Sequence, residues 1–175
     1  MNQRYVITGA PGTGKTAIIN ALKERGYSCV EENSREIIAE QIINGGDILP
    51  WKNQIAFESL ISTKRAKQYA SIPKDEIYFF DRSAIDCIAY LKVNNLETST
   101  EILEIIKSCE FNSNVFYTPI WKEIYTNDSE RKESIESAIS IEKLLLYTYK
   151  EFHYSLIEVP KLTIEERVDF ILSKI

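Results

Sequence analysis

One short stretch of the sequence combines the residue types that bind a polyphosphate. Residues 9–16 read GAPGTGKT, and they lie between an apolar run and a helix-like run. Glycines at positions 9, 12 and 14 let successive backbone N–H groups face an anion without a Cβ in the way. A helix that begins near Lys15 adds its positive N-terminal end. The pattern therefore predicts a phosphate-binding loop.

Two side chains of this stretch have separate tasks. Lys15 is placed to reach the β- and γ-phosphates, and the Thr16 hydroxyl is placed to take a Mg²⁺ position. The predicted ligands are a nucleoside triphosphate and Mg²⁺. The sequence leaves the choice between ATP and GTP open, and the lack of an Asn/Thr-Lys-x-Asp motif for guanine favours ATP. The residues predicted to surround the nucleotide are Gly9, Ala10, Pro11, Gly12, Thr13, Gly14, Lys15, Thr16 and Ala17.

The same glycines admit a second interpretation. Residues 12–17 also fit G-x-G-x-x-A, the dinucleotide fingerprint, and Glu31 and Glu32 lie roughly 20 residues on, where a ribose-binding acid belongs. That fingerprint begins directly at the end of a strand and has no use for a Lys-Thr pair. The spacing therefore favours the phosphate-binding loop.

A second candidate stretch, IYFFDRSAID, covers residues 77–86. Asp81 ends its strand-like apolar run. If this strand lies beside the first one, the Asp81 carboxylate can hold Mg²⁺ through water or accept a proton from an attacking hydroxyl. The alternative is a solvated acid at the end of a strand.

The arginine that follows Asp81 narrows the chemistry. Rapid ATP hydrolysis needs a group that orients and activates water, and Arg82 only donates hydrogen bonds. An arginine suits an anionic or hydroxyl-rich acceptor, or the charge of a moving phosphoryl group. Asp81-Arg82 thus favours transfer to a bound acceptor, with a surface ion pair as the alternative role of Arg82.

Composition bounds the class of protein. The 175 residues carry a formal net charge of -5 and a pI of about 5.1, so nucleic acid and anionic membranes are not expected partners. Three widely spaced cysteines, without a CxxC pair, are expected to be free thiols in a reducing cytoplasm. No apolar run approaches a membrane span or a long signal segment.

Strand-like and helix-like runs alternate along the chain, which predicts one α/β domain over residues 1–175 with a parallel sheet covered on both faces. The predicted strands are 4–8, 27–31, 77–81, 114–118 and 155–159. The predicted helices are 15–25, 34–43, 50–70, one from about 83 to 91, one through 109, 131–152 and a last one after Thr163. Predicted capping pairs are Asn33 with Glu36, Ser83 with Asp86, Thr98 with Glu101, and Thr163 with Glu166.

Five stretches in order carry a family resemblance: GAPGTGKT, VEENSREII, GGDILPW, FFDRS and YTNDSERKES. Together they resemble the nucleoside and nucleotide kinase group of P-loop proteins. Over nearly the whole chain the sequence is similar to a bacterial family of AAA-type ATPases. That family groups with the kinase domain of nicotinamide-riboside kinase and with the TRPL-translocation-defect proteins.

The resemblance implies a P-loop NTPase three-layer sandwich. Its five-stranded parallel sheet has the order 2-3-1-4-5, with helices on both faces, so that the third strand lies beside the first. The resemblance also implies a helical lid over the phosphates, which maps to residues 125–134. Arg131 is the lid residue expected to reach the transferred phosphoryl group, and Lys132 is a weaker candidate.

The acceptor side is expected near the end of the second strand, where this kinase group binds its acceptor. Glu32 and Arg35 can hold ribose hydroxyls or a phosphate there. Trp51 and Phe57 can stack on a base, or they can belong to the core. Lys161 follows the fifth strand, where adenine packs in related folds.

Two functions of different classes follow from these residues. The first is a small-molecule kinase that transfers the γ-phosphoryl group of ATP to a nucleoside-like or other hydroxyl acceptor. The second is a nucleotide-dependent switch, or a slow ATPase or GTPase, that signals to a protein partner.

Overall fold

A computed structural model describes residues 3–73, 75–123 and 134–175 of the chain. These residues form a five-stranded parallel sheet with the order β2-β3-β1-β4-β5. The strands are β1 (Arg4–Thr8), β2 (Ser28–Val30), β3 (Tyr78–Asp81), β4 (Asn114–Tyr117) and β5 (Ser155–Glu158). The helices are α1 (Lys15–Glu24), α2 (Ser34–Ile43), α3 (Gln54–Ser71), α4 (Ala84–Val93), α5 (Thr100–Ser108), α6 (Ile135–Glu151) and α7 (Ile164–Leu172). The predicted fold class and strand order are confirmed.

Helices cover both faces of the sheet because successive side chains of a strand point to opposite faces. In the fully buried central strand β1, Tyr5 and Ile7 pack with α1 and α7. Val6 faces the other way and packs with Ile85 of α4 and Tyr149 of α6. Helix α4 also packs against α3 and α5, so this second layer is the thicker one.

Two predicted capping boxes are confirmed. Ser83 and Asp86 form a box at the start of α4, and Thr163 and Glu166 form one at the start of α7. Each box satisfies two backbone N–H groups that a helix start leaves without partners. The first of these boxes fixes the backbone directly after β3.

Of the other two predicted caps, one is at the wrong residue and the other is correct in position only. Ser99, not Thr98, is the N-cap of α5, and its hydroxyl accepts a hydrogen bond from the Ile102 N–H. Asn33 stands at the N-cap position of α2, but its side chain makes no capping bond. Residue types identify a cap region, whereas the local backbone decides which residue performs the capping.

Helix α3 begins later than predicted. The backbone over residues 49–53 forms a turn in which the Leu49 carbonyl accepts from the N–H groups of Lys52 and Asn53. The Asn53 side chain then accepts from the Ala56 N–H and starts the helix at Gln54. Pro50 and Trp51 therefore belong to the loop that precedes α3.

The register of the sheet brings the candidate residues together. Ile7 of β1 lies opposite Asp81 of β3, and Thr8 lies opposite Tyr117 of β4. The segments that follow these strands therefore leave from the same carboxyl edge. The predicted lid lies outside the described residues except for Ser134, which caps α6. Among the helices that the structure describes, none is both long and apolar enough to cross a bilayer.

Candidate functional site

The loop between β1 and α1 has the backbone that its glycines predict. Gly9, Gly12 and Gly14 have φ values of 148°, 81° and 86°, which side chains of L residues rarely adopt. A Cβ on Gly9 would lie 2.3 Å from the Oγ1 of Thr118. Position 9 therefore requires glycine both for its dihedral angle and for the close approach of the segment after β4.

Thr118 is a loop contact that sequence reasoning missed. Its hydroxyl oxygen lies 2.6 Å from the Thr13 hydroxyl oxygen, and its N–H donates to the Thr8 carbonyl. The Thr13 hydroxyl also donates to the Ala10 carbonyl, at 2.9 Å. The end of β4 thus holds the loop from one side, and the Thr118-Pro119 pair that closes the strand is the only signal in the sequence.

Lys15 is buried at the start of α1, with 7% of its surface exposed. Its Nζ donates to the Ala10 carbonyl at 2.8 Å, so the amine lies over the loop. Burial lowers the pKa of Lys15 to about 7, and the charge of Arg82 acts in the same direction. An anion at the loop would reverse this effect by favouring the protonated amine.

The remaining loop residues differ in exposure. Ala10 is fully buried, Pro11 and Gly12 are partly buried, and Thr16 and Ala17 are exposed. The Thr16 hydroxyl therefore stands in solvent at the first turn of α1, where a ligand can reach it.

Asp81 lies at the carboxyl end of β3 and is 6% exposed. Its Oδ1 atom is buried and has no hydrogen-bond partner among the described residues. Burial raises the pKa of Asp81, against the opposing charges of Lys15 and Arg82. A buried carboxylate oxygen normally has a hydrogen bond or an ion that compensates its loss of water. A bound cation or hydroxyl group could provide that contact for Asp81.

Arg82 is buried beside Asp81 and has an uncommon backbone. Its φ of 76° falls in the left-handed region, which costs a residue with a Cβ about 1–2 kcal/mol. Its Nη1 donates to Asp86 Oδ1 at 3.0 Å, and its guanidinium lies 5.4 Å from the centre of the Tyr90 ring. No hydrogen bond within the described residues occupies Nη2 or Nε of Arg82.

Asp86 is the main site residue that sequence reasoning missed, because it was assigned only a capping task. It is fully buried and also accepts hydrogen bonds from the Thr8 hydroxyl, the Ser83 N–H and the Tyr149 hydroxyl. Burial opposes its ionisation, but the positive charges around it hold the pKa of Asp86 below its usual value. Its carboxylate fixes the direction of Arg82.

Glu32 follows β2 and joins the same cluster of charges. Its side chain is 27% exposed, and Arg65 Nη2 lies 4.0 Å from its Oε1. Burial acts against its ionisation, but the charges of Arg82 and Arg65 outweigh burial and lower the pKa of Glu32. The fold therefore gathers Lys15, Asp81, Arg82 and Glu32 at one edge of the sheet.

The other predicted acceptor residues lie differently. Arg35 is exposed in the first turn of α2, and Trp51 is 64% exposed in the loop before α3. Phe57 is only 3% exposed and packs with Ile37 and Ile61. Its predicted stacking on a base is corrected to the alternative role in the core, because no face of its ring is open.

Two further predictions concern the nucleotide side. Lys161 is exposed just after β5, at the carboxyl edge of the sheet. Burial raises the pKa of Glu142 on α6, and the positive charge of Lys161 acts in the opposite direction. Arg131 and Lys132 of the predicted lid lie outside the described residues.

A family model described as an AAA domain, AAA_28, matches residues 4–167. The chain belongs to this family. A comparison with curated protein sequences gives no significant match.

Solved structures share the fold of this AAA domain. A deoxyadenosine kinase from M. mycoides with dCMP and dCDP bound is 21% identical, with a TM-score of 0.66 over 98% of this chain and 97% of that chain. The NadR protein in complex with NR is 19% identical, with a TM-score of 0.72 over 98% of this chain and 51% of NadR. Thymidylate kinase from Candida albicans is 14% identical, with a TM-score of 0.68 over 99% and 90% of the two chains. The predicted resemblance to nucleoside and nucleotide kinases of the P-loop class is confirmed at the level of the fold.

Two charged residues on α3 of the AAA domain lie near the site and were not predicted: Arg65 is partly buried and Glu58 is buried. Arg65 of α3 donates from Nη1 to the Ser83 carbonyl at 2.6 Å and to Cys87 Sγ at 3.3 Å. Glu58, which lies about two turns earlier in the same helix, is 5% exposed, and burial raises its pKa to about 7. No pattern in the sequence marks either residue, because charged side chains on a long helix are normally exposed.

The arrangement in the AAA domain combines an anion-binding loop with the charged side chains of Asp81, Arg82 and Glu32 beside it. The loop and Lys15 attract phosphate, and Asp81 supplies a carboxylate next to them. Arg82 directly follows Asp81, and Glu32 follows β2, which lies on the side of β3 away from β1, so these two residues offer donors and acceptors next to Asp81. Such a site can place an anionic donor against a hydroxyl-bearing molecule.

Proposed function

We propose that the chain is a Mg²⁺·ATP-dependent phosphotransferase that moves the γ-phosphoryl group to a hydroxyl of a small, nucleoside-like acceptor. One observation carries the proposal: Asp81 is followed by the buried Arg82, at the place where a hydrolase needs a second carboxylate. Arginine stabilises an anion but takes no proton from water. The three free cysteines suit a reducing compartment, so we place this single domain of residues 1–175 in the cytoplasm.

The donor side consists of the loop and the first turn of α1. The loop amides and the N-terminal end of α1 hold the phosphates of ATP. Lys15 leaves the Ala10 carbonyl and pairs with the β- and γ-phosphates. Lys161 lies on the adenine side of the bound nucleotide.

The residues around the loop fit a magnesium ion. The unpartnered Oδ1 of Asp81 and the exposed hydroxyl of Thr16 are oxygen ligands of the kind that Mg²⁺ uses together with phosphates. When bound, the ion neutralises developing charge on the transferred group. The carboxylate of Asp81 orients this part of the site whether it binds the ion directly or through water.

The acceptor side lies beyond Asp81. Glu32 has a lowered pKa and is ionised at neutral pH, so it can accept hydrogen bonds from acceptor hydroxyls. The alternative task of Asp81 is to take the proton of the attacking hydroxyl. The Nη2 and Nε donors of Arg82, which form no hydrogen bond with any described residue, can hold the acceptor or the moving phosphoryl group. Arg35 and the exposed ring of Trp51 can contact the rest of the acceptor, and Arg131 is proposed to reach the phosphoryl group from the lid.

A nucleotide switch or slow ATPase remains a second candidate because of one contact. Arg82 is already paired with Asp86 inside the fold, and a structural ion pair is the role that a switch would give it. In that case nucleotide turnover needs no acceptor, and the site reports its state to a protein partner.

An acceptor screen separates the two functions. The protein is incubated with Mg·ATP and one nucleoside or other small hydroxyl compound at a time, and ADP release is followed. The phosphotransferase proposal expects release to rise with one class of acceptor and to stay near background without it. The control is Lys15→Ala, which should release no ADP above background because the phosphates lose their cation.

The result against the proposal is equally clear. Equal ADP release by the wild-type protein with and without every acceptor would favour the switch or slow ATPase.

A further inference from the structure

Arg167 of α7 lies directly behind the phosphate-binding loop. Its side chain is buried, with 2% of the residue exposed, and its Nη2 donates to the Thr13 carbonyl at 3.0 Å. A Cβ built on Gly14 would lie 2.8 Å from Nη1 of the same guanidinium. Arg167 therefore contacts the Thr13–Gly14 peptide, and Gly14 leaves the room for this contact.

The charge of Arg167 is not balanced by a carboxylate in the described part of the chain. Its neighbours on α7 are used elsewhere: Glu166 caps the helix at Thr163, and Asp169 pairs with Arg25. Over residues 3–73, 75–123 and 134–175, no atom forms a hydrogen bond with its buried Nε. Burial lowers the pKa of Arg167, and no acidic side chain in these ranges raises it again.

An unbalanced buried guanidinium is costly for a fold. Removing a charge from water carries a desolvation penalty that only a well-placed opposite charge offsets. An apolar side chain of similar length would fill the same space without that penalty. The stability of α7 therefore does not explain why an arginine occupies this position.

The peptide that Arg167 contacts suggests the explanation. The Thr13 carbonyl and the Gly14 N–H belong to one peptide group. A cationic donor on the carbonyl polarises that group and makes its N–H a stronger donor. In a phosphate-binding loop such N–H groups face the anion. The positive charge behind the loop then finds its counter-charge in the phosphates in front of it.

We propose that Arg167 is a positioning residue for phosphate binding, which acts through the Thr13–Gly14 peptide and whose buried charge is balanced by the bound polyphosphate. The inference rests on the proposed binding of nucleotide at this loop. It assigns to the last helix a role in the loop's affinity that no motif in the sequence marks.

The test compares Arg167→Met with the wild-type protein in two assays. Isothermal calorimetry measures the affinities for Mg·ATP and for Mg·tripolyphosphate, and thermal melting measures the ligand-free protein. The ligand-free variant should melt at or above the wild-type temperature, because an unbalanced charge has been removed. Both affinities should fall about tenfold or more, roughly the value of one charge-assisted hydrogen bond.

The matched control is Arg25→Met. Arg25 also contacts α7, through Glu165 and Asp169, but its side chain is partly exposed and lies away from the loop. This variant should keep both affinities within about twofold, since it removes only surface ion pairs. Should Arg167→Met fail to fold, Arg167→Gln replaces it, because glutamine keeps a donor for the Thr13 carbonyl but carries no charge. The same fall in both affinities is expected for it.

Four results overturn the inference. Unchanged affinities with a lower melting temperature make Arg167 a structural residue, and unchanged affinities in a folded Arg167→Gln have the same meaning. A fall for Mg·ATP without a fall for tripolyphosphate points to the base or ribose and not to the loop. Failure of the wild-type protein to bind either probe overturns the proposed nucleotide binding itself, and this inference with it.

Discussion

Among the single residues, Lys15 is the one whose protonation should respond most to a ligand. In the ligand-free fold, burial and the neighbouring Arg82 keep the pKa of its amine near 7. A bound triphosphate brings several negative charges to the same place and must raise that pKa again. Binding and protonation of Lys15 are therefore linked.

The linkage predicts proton uptake with a defined pH dependence. At pH 8 the amine is largely neutral before binding and charged afterwards, so binding of Mg·ATP should take up close to one proton. At pH 6 the amine is already charged, and the uptake from Lys15 should vanish. Calorimetry in buffers with different ionisation enthalpies measures the number of protons, and Lys15→Met should remove the uptake at pH 8. An uptake of zero in the wild-type protein at pH 8 would contradict the link.

Arg82 requires a variant that separates chemistry from stability. The Arg82–Asp86 pair is buried, so Arg82→Ala would destabilise the fold under either proposed function, by about 3–5 kcal/mol for a broken buried pair. Lysine keeps a positive charge for Asp86 and faces the same backbone at φ 76°. It lacks the planar, two-pronged donor of arginine.

Arg82→Lys should therefore melt close to the wild-type protein and still lose catalysis. We expect acceptor-dependent phosphorylation to fall by roughly 10³-fold or more, as for other arginines on transferring phosphoryl groups, with little change in ATP affinity. Steady-state rates and melting curves of one preparation check this. Wild-type rates in Arg82→Lys would assign the arginine to the ion pair alone.

Sequence reasoning reached the residues that have a motif and missed those that act through contacts. Lys15 and Asp81 follow from the loop pattern and from the end of a buried strand. For Asp86 the sequence predicts only a role in helix capping. Its contacts with Thr8 and Tyr149, which are 78 and 63 positions away in the chain, have no local pattern. Arg167 lies 154 positions from the carbonyl that it contacts. No local pattern reports contacts between such distant positions.

At the scale of elements, the contact of α3 with α4 contains a buried acid. Glu58 of α3 is 5% exposed and lies near Cys87 of α4 and Arg65. Burial raises the pKa of Glu58 from 4.5 to about 7, so the folded protein holds a proton there that the unfolded chain releases. Since the folded state binds more protons between these two values, its stability must fall as the pH rises through them.

Glu58→Gln should therefore stabilise the protein at pH 8 and have little effect at pH 4.5 or below. The gain at pH 8 is expected to be about 3 kcal/mol, because burial raises the pKa of Glu58 from 4.5 to about 7. Urea unfolding of both proteins at the two pH values measures it. The exposed Glu40 of α2 provides the control, because Glu40→Gln leaves a hydrated side chain in both states. An equal effect of Glu58→Gln at both pH values would show that Glu58 does not titrate in this range.

Element types were easier to predict than their ends. Short apolar runs predicted every strand, and apolar residues at helical spacing predicted every helix, in the described part of the chain. These patterns are reliable because a buried strand or helix face must be apolar. The start of α3 was misplaced by the turn over residues 49–53, whose hydrogen bonds have no periodic signature. Phe57 illustrates the same limit: its type suits stacking or core packing, and only the contact with Ile37 and Ile61 decides.

For the whole molecule, the parallel sheet explains why distant segments form one site. Loops that follow β1, β2 and β3 all leave from the carboxyl edge, and they bring Lys15, Glu32 and Asp81 together. The chain is acidic, with a formal net charge of -5, yet two buried cationic side chains, Lys15 and Arg167, contact the loop itself. Cationic groups at the loop favour the binding of a small anion there, although the protein as a whole is acidic. The alternation of strand-like and helix-like runs predicted a parallel sheet, whereas the order of its strands came from the family resemblance.

The fate of the γ-phosphoryl group tests the central claim most directly. ³¹P NMR of wild-type protein with Mg·ATP and an acceptor from the screen follows ATP, ADP, inorganic phosphate and new phosphomonoesters in one sample. A phosphotransferase with Arg82 in place of a water-activating acid should form phosphomonoester in step with ADP and leave little inorganic phosphate. Inorganic phosphate appearing in step with ADP, with no phosphomonoester for any acceptor tried, would contradict the account.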